Sequence, residues 1–571
     1  MGLISSLNTG KTSLATQRLA MEVTGNNISN AATEGYTRQR AVIVNNFSRE
    51  EQLGMFVGQG AKVQTLQRMV DEYLEVSLRN ANSQANGLAV KVRTYNRVEA
   101  MVNELNDTDI STLINEYFNA FDECVNNPTA IGNRAVVLER GSALATSVRE
   151  LRTAAVNETQ LLDNELVDTV TRVNQISESI ADLNVKIMQS ERGEQFKGAA
   201  SELRDERGRL LNELSGIVEI RVQEMPDGTM TVLTGSRALV MASSNFELSV
   251  EQRSTGKVTV SDVIFDQNGE PLPIKDGSMK GLIESRDEIV HGLIDDLDSL
   301  ASGLIEQVNR LHSEGMGLDR YAAVTSIESV SNPAAALNAA SLPFTPRNGS
   351  FEIKIVNENS GEATTFDIDV DLDGLGADTT LNDVVAEING EVGGAFPEIT
   401  ARVTPQNRLE IRSSGGNITI GFGEDSSNLL AALGVNTFFT GSSGADIGVR
   451  QDIVDNPRLL AGARSIATGD NTNFRRMQAV RDSKQTALGN LTLEEHYARF
   501  VGEIAVSAST TAGASESATV HFESLQADRE GVSGVNLDEE AVNLIRYQGV
   551  YAASANYLST VRSLIDTLLN I

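Results

Sequence analysis

The chain has 571 residues, enough for several domains, because one hydrophobic core rarely serves more than about 250–300 residues. Its 40% hydrophobic and 22% charged content is that of a folded, soluble protein, and its formal net charge of -31 excludes a nucleic-acid binder, since phosphate recognition needs a basic surface. With no Trp, 10 Pro and a single cysteine, Cys124, its interiors must be built from Leu, Ile, Val and Ala, and an intramolecular disulfide is excluded.

The first thirty residues predict an amphipathic helix. Leu3, Leu7, Leu14, Met21 and Ile28 fall on one heptad stripe, with Gly10, Gln17 and Thr24 at the intervening seam positions. No positive segment leading into an apolar core is present, so no cleavable signal peptide is expected, and no apolar run reaches the roughly 18 residues that cross a membrane. The turn-rich stretch from Gly25 to Tyr36 ends this helix. A short extended segment, Ala41–Val44, leads to a second long helical region from about Asp71 to Leu105.

The strongest coiled-coil pattern is internal. Leu162, Leu166, Thr169, Val173, Ile176, Ile180, Leu183 and Ile187 alternate steps of four and three, and Val290, Leu293, Leu297, Leu300, Leu304, Gln307 and Leu311 form a matching stripe. The two seams predict an antiparallel pair. Between them, over about 217–275, the period changes to two: Val218, Ile220 and Val222 alternate, Asp227-Gly228 supplies a turn, and Met230 and Val232 return as a hairpin. Further strands are expected at Phe246–Val250 and Lys257–Phe265, with Asn268-Gly269 as another turn.

A second insert spans about 341–435. Phe351, Ile353 and Ile355 alternate, as do Phe366, Ile368, Val370 and Leu372; a short helix near Leu381–Ile388 precedes strands at Ile399–Val403, Leu409–Ile411 and Ile418–Ile420. Residues 445–530 read as helix with polar breaks, and the chain closes on a further stripe of Leu537, Ala541, Leu544, Tyr551, Ala555, Leu558, Ile565 and Leu569, interrupted by Gln548 and Arg562. The expected fold is therefore mainly α with inserted β domains: terminal helices paired as a coiled coil, an elongated helical rod, and β-rich tip domains. The expected division is 1–45 with 532–571 as a terminal helical polymerisation domain, and 46–216, 276–340 and 436–531 as the rod. A small β domain covers 217–275 and an inserted αβ domain covers 341–435.

None of the local motifs builds an active site. Thr9-Gly10-Lys11-Thr12 resembles the close of a phosphate loop, but Ser5 stands where the leading glycine is required and no strand precedes it. Met1-Gly2-Leu3-Ile4-Ser5-Ser6 fits the myristoylation pattern, and an apolar first helical turn accounts for the same residues. Asp369, Asp371, Asp373 and Gly374 match half of a calcium loop, yet Thr380 occupies the place of the bidentate Glu; strict alternation instead puts Asp367, Asp369, Asp371 and Asp373 on one solvated strand face. His291, His312, His496 and His521 form no local ligand pair, and Cys124 follows the apolar run Tyr117-Phe118-Phe121 as a buried small residue would. No catalytic, cofactor or metal residue is expected. The terminal stripes point to assembly, because a Leu contributes its roughly 1.5–3 kcal/mol only once covered.

Two segments are more specific. Asn26-Asn27-Ile28-Ser29-Asn30-Ala31, continuing to Glu34-Gly35-Tyr36-Thr37-Arg38-Gln39, resembles the N-terminal signature of the bacterial flagellar rod, hook and hook-associated proteins. Ser533-Gly534-Val535-Asn536-Leu537-Asp538-Glu539-Glu540 and the residues through Gln548 resemble the C-terminal signature of the hook-associated branch, as do Tyr117–Phe121, Asn126-Asn127-Pro128 and Phe438–Gly441. The resemblance covers roughly 1–330 and 437–571, while 341–435 is similar to β-rich modules that decorate flagellin-type proteins.

It implies a non-enzymatic structural subunit at the hook–filament junction. Such a subunit would leave the cell unfolded through the flagellar type III export apparatus, which needs no signal peptide. The implied partners are further copies of the chain, the hook protein, a second hook-associated junction protein, and a cytoplasmic export chaperone on the C-terminal helices, with neither nucleic acid nor membrane insertion. A hook or distal-rod subunit is the alternative within the same family. The motif residues are Asn26, Asn27, Ile28, Ser29, Asn30, Gly35, Tyr36, Asn536 and Leu537; the expected assembly interface is Leu3, Leu7, Leu14, Met21, Ile28, Leu544, Tyr551, Leu558, Ile565 and Leu569.

Overall fold

A computed structural model describes residues 3–569 apart from 34, 47–48, 53–54, 103–108, 193–199 and 468, and only the backbone of 49–52 and 55–57. The Met1-Gly2 pattern, Glu34 of the N-terminal signature and the expected helix end at Leu105 lie outside the described residues.

From the N-terminus come α1 (Leu3–Ser29), β1 (Gln39–Asn45), β2 (Arg49–Gln52), β3 (Met55–Val57), β4 (Ala61–Arg68), α2 (Glu72–Val102), α3 (Ile110–Asn126), α4 (Ile131–Ser190) and α5 (Ser201–Ile217). The first β segment holds β5 (Arg221–Glu224), β6 (Met230–Thr234), β7 (Arg237–Met241), β8 (Ser244–Asn245), β9 (Leu248–Ser254) and β10 (Thr259–Phe265), followed by α6 (Ser278–Glu284) and α7 (His291–Ser313). The second holds β11 (Ala323–Thr325), β12 (Gly349–Asn357), β13 (Glu362–Val370), α8 (Leu381–Glu387), α9 (Gly393–Ala395), β14 (Ile399–Val403), β15 (Leu409–Ser413), β16 (Ile418–Asp425) and α10 (Leu429–Leu433). The chain ends with β17 (Phe439–Thr440), β18 (Gly448–Val449), α11 (Gln451–Asp455), α12 (Thr472–Gln478), α13 (Leu493–Ser533) and α14 (Leu537–Leu569). Long helices with small sheets are what the hydrophobic periods predicted. Helix starts follow local chemistry: the Asp71 carboxylate accepts from the N–H groups of Tyr73 and Leu74, and that of Asp109 from Thr112 N at 2.5 Å.

The chain divides into two compact units, each discontinuous in sequence. One comprises Met1–Thr94, Gln160–Arg286 and Ala508–Ile571. In it β1 and β4 form an antiparallel pair with a bulge between Val42 and Ile43, and the pair lies on α1, where Thr16 Oγ1 donates to Ala61 O at 2.9 Å. The β5-β6-β7-β8 sheet and the β9–β10 hairpin hold the far half of α4: Asn184 Nδ2 donates to Met230 O and Ala242 O, and Asn174 Nδ2 to Leu248 O, at 2.7–2.8 Å. The Leu162–Ile187 seam is buried, but its expected antiparallel partner at 290–311 belongs to the other unit. Asparagines flanking the seam bond the strand backbones, so the β segment covers it. Arg207, buried beside this junction, donates to Asn184 Oδ1 and Gly228 O; burial, reinforced by Arg204, lowers its pKa to about 10.

The other unit comprises Tyr95–Thr159 and Asp287–Ser507. Tyr117 and Phe121 of α3 meet Phe438, Phe439 and Phe474 with ring centroids 5.5–6.1 Å apart. Cys124 lies buried, its thiol pushed up to about 11 by burial. Two three-stranded antiparallel sheets, β13-β12-β16 and β11-β15-β14, enclose a core of Phe351, Ile353, Ile368, Val384, Ile411 and Ile420. That core also takes in Tyr321, Val324 and Val330, since β11 pairs with β15. β13 ends at Val370, so Asp371 and Asp373 do not continue the strand face expected for them; they lie in the following loop.

Candidate assembly surface

α1 and α14 pack against each other through a face that is small and polar. A Cβ at Gly10 would sit 2.8 Å from Leu558 Cδ1, and the hydroxyls of Ser13 and Ser554 are 2.7 Å apart. The buried line of α1 runs through Gly10, Gln17, Ala20, Thr24 and Asn27, so Leu3, Leu7, Leu14, Met21 and Ile28 are half-buried beside it. On α14, Leu544, Leu558 and Ile565 are half-buried, Val561 is buried, and Tyr551 and Leu569 are exposed. The Thr9–Thr12 stretch is mid-helix, with Gly10 beneath Leu558 and no phosphate cradle.

The two signature segments meet and hold one another. Asn27 is buried at the end of α1; its Oδ1 accepts from Gln39 N at 3.0 Å and Tyr36 Oη at 2.9 Å, while its Nδ2 donates to Gln39 O at 2.9 Å. Asn30 Nδ2 donates to Asn26 O and Oδ1, and Ser29 Oγ to Gly25 O, so both finish the helix locally. Gly35 adopts φ +78, which turns the chain back. Burial, together with nearby Asp205, raises the Tyr36 phenol to about 12. Across the join, Arg38 N donates to Ser533 O at 2.9 Å, and the Arg38 guanidinium reaches Glu540 and Glu539 at 2.8 Å each. Asn536 caps α14 by accepting from Asp538 N and Glu539 N; Leu537 is exposed. The motif residues thus act within the chain, between its two ends. Arg38, Glu539 and Glu540 stand in the quoted signatures, but sequence gave no sign that they pair across 500 positions. A cleft of about 1230 Å³ opens beside this join, lined by Asn30, Tyr36, Asn82, Phe522, Val535 and Leu537 among others.

α14 keeps much apolar surface uncovered. Val542, Ile545, Leu564, Leu568 and Leu569 are more than half exposed, although all are large aliphatic residues. Of the remaining sequence candidates, only two aspartates come together. The carboxylates of Asp371, Asp373 and Asp378 come within 4.8 Å of one another in an exposed loop, whereas Asp369 offers its N–H to Glu387 at 2.7 Å. Thr380, at the place of the missing calcium-loop Glu, instead caps α8 in a reciprocal box with Asp383. His312 is buried and bonded through both ring nitrogens, to Asn436 O and Ala461 N. No helix among the described residues is long and apolar enough to cross a membrane.

Three families match the chain. The one described as flagellar hook-associated protein FlgK helical domain matches residues 95–324. The flagella basal body rod protein family matches 7–37, and the flagellar basal body rod FlgEFG protein C-terminal family matches 531–571. Of these last two, the second includes Ser533, and the first ends one residue before its partner Arg38. Flagellar hook-associated protein 1 of Salmonella typhimurium is 24% identical over 580 residues, covering 99% of this chain and 100% of that protein. Its namesake in Bacillus subtilis is 24% identical over 577 residues, covering 99% and 97%. Among solved structures, the flagellar hook junction protein FlgK from Burkholderia pseudomallei shares the fold, with a TM-score of 0.50 at 14% identity, covering 80% of this chain and 100% of that one.

Proposed function

From these likenesses we propose that the chain belongs to the flagellar hook-associated protein family and is the structural, non-enzymatic subunit that joins hook to filament in the bacterial flagellum. The observation that carries this reading is the uncovered apolar surface of α14, a helix whose other side already rests on α1. Isolated helices are marginal in water, so helices left half-covered call for neighbours to complete them. On this reading α1 and α14 pair as a coiled coil and polymerise with those of adjacent copies through Leu3, Leu7, Leu14, Met21, Ile28, Leu544, Tyr551, Leu558, Ile565 and Leu569. Residues 1–45 and 532–571 form the polymerising domain, 46–216, 276–340 and 436–531 the rod, and the 217–275 and 341–435 segments stand as separate β domains.

A junction layer also needs unlike faces above and below. The hook protein would occupy one and a second hook-associated junction protein the other. The C-terminal helices, too apolar to travel bare, would be held by a cytoplasmic chaperone before export through the flagellar type III apparatus. Gold-labelled antibody on isolated flagella tests the placement: label should form one band between hook and filament, and label along the hook or filament would contradict it. Leu558→Asp buries a charge against α1 and should abolish that band while the purified variant keeps its helical content.

A further inference from the structure

α14 carries a second seam whose surface its pairing with α1 leaves mostly open; the edge of the Tyr557 ring touches α1, its Cδ1 3.4 Å from where a Cβ at Gly10 would stand. Arg546, Val550, Ala553, Tyr557, Thr560 and Leu564 alternate steps of four and three, and all are exposed: Val550 41%, Tyr557 43%, Leu564 52%. The Thr560 hydroxyl is spent on Asn556 O at 3.0 Å, which leaves its methyl group outward. Large apolar residues thus recur every seven positions along a face open to solvent.

α13 presents the complement. From 508 onward only Ala508, Ala518 and Ser533 of this helix are buried. Its outward face is a seam with the same steps: Gly513, Glu516, Val520, Glu523, Ala527 and Glu530. The positions seven apart, Gly513, Val520 and Ala527, are small or short, and the three glutamates between them make no ion pair among the described residues. Arg546 likewise has no carboxylate partner there; its guanidinium stacks on Tyr547 at 5.0 Å.

We propose that the α14 seam of one copy docks antiparallel on the α13 seam of a second copy of this chain, Val550, Tyr557 and Leu564 entering beside Ala527, Val520 and Gly513 in that order, which sets Arg546 beside Glu530. Size and charge both favour this occupant. Bulky side chains meet a face with room for them, and the glutamate row supplies acceptors for the Tyr557 hydroxyl and counter-charge for Arg546. A second α14 would set bulk against bulk and Arg546 against Arg546. Because the two faces differ, a contact that is not reciprocated within a pair is heterologous and passes from copy to copy, building a ring or helix, and the crosslinked ladders separate it from a closed dimer.

The inference rests on the flagellar reading above and is tested on isolated flagella. Tyr557, being exposed, is replaced by the photoreactive p-benzoylphenylalanine, and copies of two isotopic compositions are mixed before assembly. Irradiation should give dimers and longer ladders whose linked peptides pair residue 557 of one isotope with residues 509–530 of the other. Val520→Asp, also at an exposed position, should lower that yield about ten-fold without loss of helicity, by placing a further acid in the docking face. Links between the two isotopes at α1 or α14, links to another protein, or no link between the isotopes would overturn the seam and leave the flagellar reading standing. Absence of the chain from the flagella would overturn both.

Discussion

His312 at the end of α7 is wholly buried with both ring nitrogens engaged: Nδ1 donates to Asn436 O at 2.7 Å, and Nε2 accepts from Ala461 N at 3.0 Å. Asn436, at φ 52, turns its amide onto the carbonyls of His312, Ser313 and Gly315, closing the helix. Burial lowers the His312 pKa from 6.5 to about 4, the nearby Arg450 adding to the effect. The unfolded chain therefore binds a proton that the folded chain refuses, and stability falls as pH drops from about 6.5 towards about 4, by up to about 3 kcal/mol. Urea midpoints of the native chain minus those of His312→Gln, taken across that range, should show this slope; a flat difference would refute it. Arg38 is the second such residue. Its removal leaves Glu540, only 3% exposed, as an unpaired buried charge, a loss of about 3 kcal/mol. Arg38→Ala should speed hydrogen exchange over 536–547, and Glu540→Gln in the same chain should recover part of the protection. Sequence places His312 just past a heptad seam and Arg38 inside a signature. The partners that give each its role lie 124 and 502 positions away, beyond the reach of any local pattern.

Element by element, periodicity identified α1, α2, α7, α14 and the far half of α4, but not α3 or α5. Among the described residues of 445–492, read as broken helix, the only helices are the short α11 and α12 and 3-10 turns; inward faces were read less well. The Leu162–Ile187 and Val290–Leu311 stripes are buried almost throughout, because a wide aliphatic stripe admits one inward direction. α1 is different. Its leucines flank a line of Gly10, Gln17 and Thr24, and the small side is the one that α14 and β4 approach closely. Apolar spacing names a stripe, whereas backbone proximity selects small residues, and a single sequence does not rank the two. The same limit applies to the aspartates after β13: alternation predicted a strand face, but the chain turns at Gly374, φ +74. Gly10→Val tests the α1 face. Its side chain would meet Leu558 and spread the helices, destabilising their contact by about 1–3 kcal/mol. Exchange at 554–561 should rise and the junction band should weaken; an unchanged pattern would remove Gly10 from the interface.

For the whole molecule, the family signatures were legible as residues before their purpose was. The signature segments Asn26–Gln39 and Ser533–Glu540 form one join that ties the chain's two ends together through Arg38. What sequence could not show is how much of α13 and α14 that join leaves bare, since coverage depends on where every other element packs. The account stands on that bareness being completed by neighbours. Hydrogen exchange of residues 3–29 and 508–569 should be measured in the purified chain and in isolated flagella. Exchange at 550–568 and 509–530 should slow markedly on assembly, while the buried β core at 351–422 stays unchanged. Equal protection of the terminal helices in both states would contradict the account.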